Sequence, residues 1–260
     1  MEKYCKRVHE YFNNLEKHDF PFNESKIPKN GLYVLFEKNE YSHGMNRIVM
    51  VGTHTGNKST LVDRLNEHLK ENKDRSIFRK HIGRALLNKE NDPFLEWWNK
   101  DLTSRENKEI YSDKIDFSKQ KEVESKVTEY IRNNFLFVAT PIDDLKERKY
   151  FEKKLIATIN SCGECKPSSN WLGLSHPNKK IGKSGLWNVQ NLQGTSLSEN
   201  DLNTLLSTKL DVNKWDDEVN KSNKEKSTVM HESIELSSEN KDQKSLCARL
   251  KDKLINRYKP

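Results

Sequence analysis

Apolar positions along this chain fall into two periods, one of strands and one of helices, separated by long polar stretches. Gly31-Leu32-Tyr33-Val34-Leu35-Phe36 and Arg47-Ile48-Val49-Met50-Val51-Gly52 are short runs rich in β-branched and aromatic residues. The polar linker from Glu37 to Asn46 contains Gly44, so the pair predicts an antiparallel hairpin with a long loop. Phe135-Leu136-Phe137-Val138-Ala139 predicts a third strand. Helical spacing recurs at Val8, Tyr11, Phe12 and Leu15, at Leu61, Val62, Leu65 and Leu69, and at Phe78, Ile82, Ala85 and Leu86. Asp92-Pro93 reads as a capped helix start, 100–119 as a polar loop or insertion, and 120–132 as another helix. Residues 163–194 are rich in turn formers. The pattern predicts three strands, two of them an antiparallel hairpin, set among helices, an α+β fold. An N-terminal helix and linker over 1–28 would precede a domain over 29–195, and a polar helical extension would follow over 196–260.

One carboxylate breaks the pattern. Glu152 precedes Leu155, Ile156 and Ile159 by three, four and seven residues, so on a helix it shares their face. An ionised carboxylate on an apolar stripe is costly unless a cation, a metal or a hydrogen bond compensates it. Glu152 is therefore a candidate functional acid, an edge salt bridge or a slightly misread helix phase being the bland alternatives.

Composition narrows the class. Of 260 residues, 33% are apolar and 33% charged, against a usual level of roughly 45–50% (glycine included) and 25%. Part of the chain therefore lacks the makings of a core. The net charge of +7 favours acidic partners, nucleic acid first among them. No apolar run is long enough to span a bilayer, and the N-terminus does not read as a signal peptide. The four cysteines are too few for a disulfide scaffold of this size, so a reducing cytoplasm fits best. Cys162-Gly163-Glu164-Cys165 has metal-ligand spacing, but a structural zinc needs two more ligands. His176 is the nearest, Cys5 and Cys247 are remote in sequence, and the pair reads as a tight glycine turn.

Taken in order, several of these pieces resemble the GIY-YIG nuclease superfamily. Gly31-Leu32-Tyr33 resembles the first half of its name motif and Met50-Val51-Gly52 the second. Arg64 and His68 resemble the Arg-x-x-x-His of its first helix, Glu152 its metal-binding glutamate, and Asn170 the asparagine seen in many members. The likeness covers roughly 29–172 and implies the family's small three-stranded antiparallel sheet flanked by helices, which matches the strands and helices read above. It implies a metal-dependent endonuclease acting on DNA, with Tyr33, His54, Arg64, His68, Glu152 and Asn170 at the catalytic centre. One departure stands out: Met50 occupies the place of the second motif's tyrosine, and a thioether neither donates a hydrogen bond nor releases a proton. His54, two residues beyond Gly52, resembles the replacement used in a sub-lineage.

The chemistry of the residues agrees. Arg64 and His68 lie one turn apart on a helix, and a guanidinium fork suits a phosphate. Glu152 offers hard oxygens to one Mg²⁺ ion, with Mn²⁺ able to substitute, and a lone carboxylate argues against a metal pair. Tyr33 would orient the attacking water, and His54 or His68 would take or relay its proton. Arg75, Arg79, Lys80 and Arg84 would grip the DNA backbone, a solvated basic face being the alternative. No small-molecule cofactor or membrane is expected, and a homodimer is compatible. The alternative reading is a nucleic-acid-binding module without catalysis on the same fold.

Overall fold

The computed structural model of the chain describes residues 2–56 and 58–207. In chain order these form α1 (Glu2–Asn13), β1 (His18–Asp19), β2 (Gly31–Ser42), β3 (Met45–Thr53), α2 (Leu61–Glu67), α3 (Ile77–Lys89), α4 (Leu95–Asn99), α5 (Arg105–Tyr111), α6 (Phe117–Asn134), β4 (Phe135–Pro141), α7 (Leu145–Asn160) and α8 (Lys179–Ser184). A further helical stretch spans 199–207. The fold is α+β, as expected.

The sheet has four strands rather than three, in the order β1-β4-β2-β3, all antiparallel. The additional strand pairs His18 with Phe137 and Asp19 with Leu136. Two polar residues carry no alternation for a sequence pattern to register. The hairpin also differs from expectation. Its long loop shrinks to a two-residue turn, because β2 continues to Ser42 and β3 begins at Met45. His43 (φ 53°) and Gly44 (φ 75°) both occupy the left-handed region, the requirement of a type I′ turn. Register shifts between Phe36 and Tyr41 break the alternation, and that hid the strand's second half.

Strand alternation divides the core into two layers. Tyr33, Leu35 and Val49 face one layer with Leu61 and Leu65 of α2, Phe78 and Ile82 of α3, and Val127 and Ile131 of α6. Leu32, Val34 and Val51 face the other with Cys5, Val8 and Phe12 of α1 and Leu155 and Ile159 of α7. The N-terminal segment is thus built into the domain through α1 and β1. Part of 100–119, expected as loop, is α5, capped by the Ser104 hydroxyl, which accepts the Asn107 N–H. It buries nothing, so no apolar stripe announces it.

Leu197, Leu202 and Leu205 pack into the second layer, so the core reaches past residue 196. The rest of the predicted extension, 208–260 with Cys247, lies outside the described residues. Among the described residues no helix is long and apolar enough to cross a membrane.

Candidate active site

A capping box starts α2: the Thr60 hydroxyl accepts the Asp63 N–H and the Asp63 carboxylate accepts the Thr60 N–H. That fixes the helix phase so that Arg64 and His68 project on one side, toward β2 and β3. Tyr33 stands on β2 directly opposite Gly52 on β3. A Cβ built on Gly52 would lie 2.5 Å from the Tyr33 ring carbon Cζ and from its Oη. Only a residue without a side chain lets the phenol lie flat across the neighbouring strand, which gives the glycine of the second motif a physical reason.

The Tyr33 hydroxyl and His68 Nε2 share a 2.7 Å hydrogen bond, and His68 Nδ1 meets the Ser76 hydroxyl at 2.8 Å. Ser76 is the cap residue of α3, so phenol, imidazole and helix start form one line. Burial, then Arg64 and Arg79, push the His68 imidazole well below its usual range, and it stays neutral. Burial also raises the Tyr33 phenol, against the opposing pull of Arg64.

Tyr33, Gly52, Arg64, His81, Glu152 and Asn188 contribute to the lining of one cleft of about 300 Å³. Glu152 projects there from α7, and its carboxyl is pushed up to about 7 by burial, which outweighs Arg64 and a hydrogen bond from the Thr53 backbone. Arg64 also pairs with Glu67 at 3.1 Å. Met50 lines the same cleft with its thioether.

Two of the expected catalytic residues are not brought to this cleft. His54, next to the lining residue Thr53, is buried and does not line the cleft, and its pKa is lowered by burial and by Arg148. Asn170 lies in an exposed turn. Asn188 lines the cleft instead: its Oδ1 accepts the Val51 N–H and its Nδ2 donates to the Val51 carbonyl, at 3.0 and 2.9 Å. With the Trp187 N–H donating to the Val49 carbonyl, this segment covers the open edge of β3. Nothing in the spacing of Asn188 marks it, although the adjacent Trp187 is an anchor. Its Nε1 and that of Trp171 both donate to the buried carboxylate of Glu37. His81 is a further lining residue, 3.0 Å from His176, with its pKa lowered to about 3 by burial and by that neighbour.

The basic helix is mostly engaged internally. Arg79 is fully buried in a 2.6 Å ion pair with Glu124 of α6, and it also donates to the His68 carbonyl. Lys80 is buried against Asp74 at 2.9 Å. Neither reaches a phosphate outside. Arg75 is exposed and Arg84 half-buried against Asn99. Trp98 and Trp171 are core residues.

A family model described as GIY-YIG domain matches residues 6–214 of the chain. No curated protein and no solved structure gives a significant match.

Proposed function

Since the chain belongs to the GIY-YIG domain family, and Tyr33, Arg64 and Glu152 converge on one open cleft, we propose a metal-dependent endonuclease that hydrolyses DNA phosphodiester bonds. The convergence of an acid, a guanidinium and a phenol from three elements is the observation that carries the reading. The donor set suits a divalent cation: Glu152 supplies hard oxygens and, with a pKa of about 7, is a carboxylate short of positive charge. A Mg²⁺ or Mn²⁺ ion held by Glu152 would supply positive charge to the phosphate and its leaving oxygen.

The chain's own groups do the rest. Arg64 donates its fork to the non-bridging oxygens as charge builds there. The Tyr33 hydroxyl holds the attacking water, with its direction fixed by the bond to His68. The neutral imidazole, tied to Ser76 on its far side, fixes which way the phenol hydrogen points, and the proton of the water leaves through the open cleft to solvent. His81, kept unprotonated, lines the cleft wall as a neutral polar group. His54 is left without a role at the reacting centre.

Replacing Arg64 with alanine is expected to lower cleavage of plasmid DNA by about 10²–10³. Wild-type rates in that variant, with Mg²⁺ present, would remove the assignment. A second reading, a DNA-binding module without catalysis, draws on Met50, whose thioether occupies the cleft where the family motif has a phenol. Salt-sensitive binding with no cleavage under Mg²⁺ or Mn²⁺ would favour it.

For DNA grip, the exposed Lys180 and Lys183 of α8 suit the backbone better than Arg79 and Lys80. They border a groove of about 450 Å³ that shares Val189 and Asn191 with the cleft. Changing both lysines to alanine should weaken DNA binding and flatten the plot of log affinity against log salt by about 2 units. An unchanged slope in a binding titration would exclude them.

A further inference from the structure

On the side of the sheet away from the cleft, three distant segments bring sulfur and imidazole together. The ligand atoms of Cys5, His9, His43 and Cys165 all lie within 4.8 Å of one another. Cys5 Sγ is 3.3 Å from Cys165 Sγ, and His43 Nε2 is 3.6 Å from Cys165 Sγ and 3.5 Å from Cys162 Sγ. Cys162 Sγ joins the cluster through His43 Nε2, which lies within 3.6 Å of both Cys162 and Cys165. We propose that Cys5, His43, Cys162 and Cys165 bind one structural zinc ion that ties α1, the tip of the β2–β3 hairpin and the turn after α7 together.

The distances support that chemistry. Tetrahedral zinc with bonds of about 2.3 Å to sulfur and about 2.0 Å to nitrogen separates its ligands by about 3.8 Å between sulfurs and about 3.5 Å from sulfur to nitrogen. The two sulfur-to-nitrogen spacings match, and the sulfur pair needs to open by only a few tenths of an ångström. His43 is already oriented for the task. Its Nδ1 meets the Glu164 carboxylate at 2.8 Å, which turns Nε2 toward the thiols, the carboxylate–histidine arrangement that supports a ligating imidazole. A hairpin tip is ordinarily solvated, yet the His43 side chain is 1% exposed.

His9 is the rival for the fourth position. Its Nδ1 meets the Cys5 carbonyl at 3.0 Å and its Nε2 accepts the Ile48 N–H at 3.2 Å, so both nitrogens are engaged. It is assigned a supporting role against Cys5. A disulfide between Cys5 and Cys165 is the other use of two close sulfurs. It would form by loss of two protons and two electrons to an oxidant, and it would leave Cys162, His43 and Glu164 without a part. All three thiols are free and buried.

Metal content of the purified full chain, after dialysis to remove loose ions, tests the proposal. About one zinc per chain is expected, and Cys165→Ser should fall to about a tenth or less. His43→Cys, which replaces one zinc ligand by another, should keep the metal and so separates ligation from folding. Cobalt loading should give the visible bands of a tetrahedral thiolate site. A folded wild-type chain without zinc, or a mass two hydrogens short under non-reducing conditions, would overturn the site. Zinc retained by Cys162→Ser and lost by His9→Gln would overturn the ligand set. Glu152→Gln should leave zinc content unchanged, so this result stands or falls separately from the cleavage assays.

Discussion

Glu152→Gln is expected to cut DNA cleavage by about 10³ or more and, in the same stroke, to stabilise the metal-free protein at pH 8. The carboxyl is raised from 4.5 to about 7 in the folded chain. For a group raised on folding, the associated stability is fully present below the unfolded value, fades as pH climbs toward 7, and is absent above it. At pH 8 the wild type therefore carries a buried negative charge that glutamine lacks, worth on the order of 1–3 kcal/mol. Melting curves from pH 4.5 to 8, without added divalent ion or chelator, should converge at the acid end and separate above 7 with the variant higher. Added Mg²⁺ should raise the wild-type melting temperature and leave the variant unmoved. Because the ligand must be deprotonated, Mg²⁺ activation should weaken about tenfold for each pH unit below 7. A variant that melts below wild type at pH 8 would contradict the electrostatic account.

Gly52→Ala should place a damaging methyl at the centre of the candidate site. The new Cβ would lie 2.5 Å from Tyr33 Cζ and Oη and 2.8 Å from Cε1. The ring has nowhere to move, since it is fully buried and its hydroxyl is bound to His68. Overpacking of this kind costs about 1–3 kcal/mol. Activity should fall further than stability explains, because the hydroxyl proposed to aim the water is displaced. In a Tyr33→Ala background the same methyl should cost much less, and a double-mutant cycle by denaturant unfolding reads that coupling. Additive effects would mean that the phenol and the glycine do not share the space described.

Most of the cleft was legible because its residues follow local rules. Tyr33 and Gly52 mark paired strands, Arg64 and His68 one turn of a helix, and Glu152 a charge on an apolar stripe. What escaped depends on partners far along the chain. A run of basic residues from Arg75 to Arg84 looks solvated until Glu124, Thr128 and Asp74 are folded against it. Asn170 and Asn188 are indistinguishable by type, and only the edge of β3 selects the second. Cys162 and Cys165 read as a turn because their companions arrive from residues 5 and 43, and the register shift in β2 concealed how the latter is delivered. The polar second half of β2 and the exposed α5 carried too little apolar contrast for any period to show.

The division of the strands between two layers carries a last consequence. Tyr33 has Leu32 and Val34 beside it in sequence, and those two point into the opposite hydrocarbon layer. A slip of β2 by one position would put an aliphatic chain where the water should sit and strand a phenol among methyl groups at the back. Both layers reject that error independently. The geometry of the proposed reaction centre is thus guarded by residues that face the opposite layer.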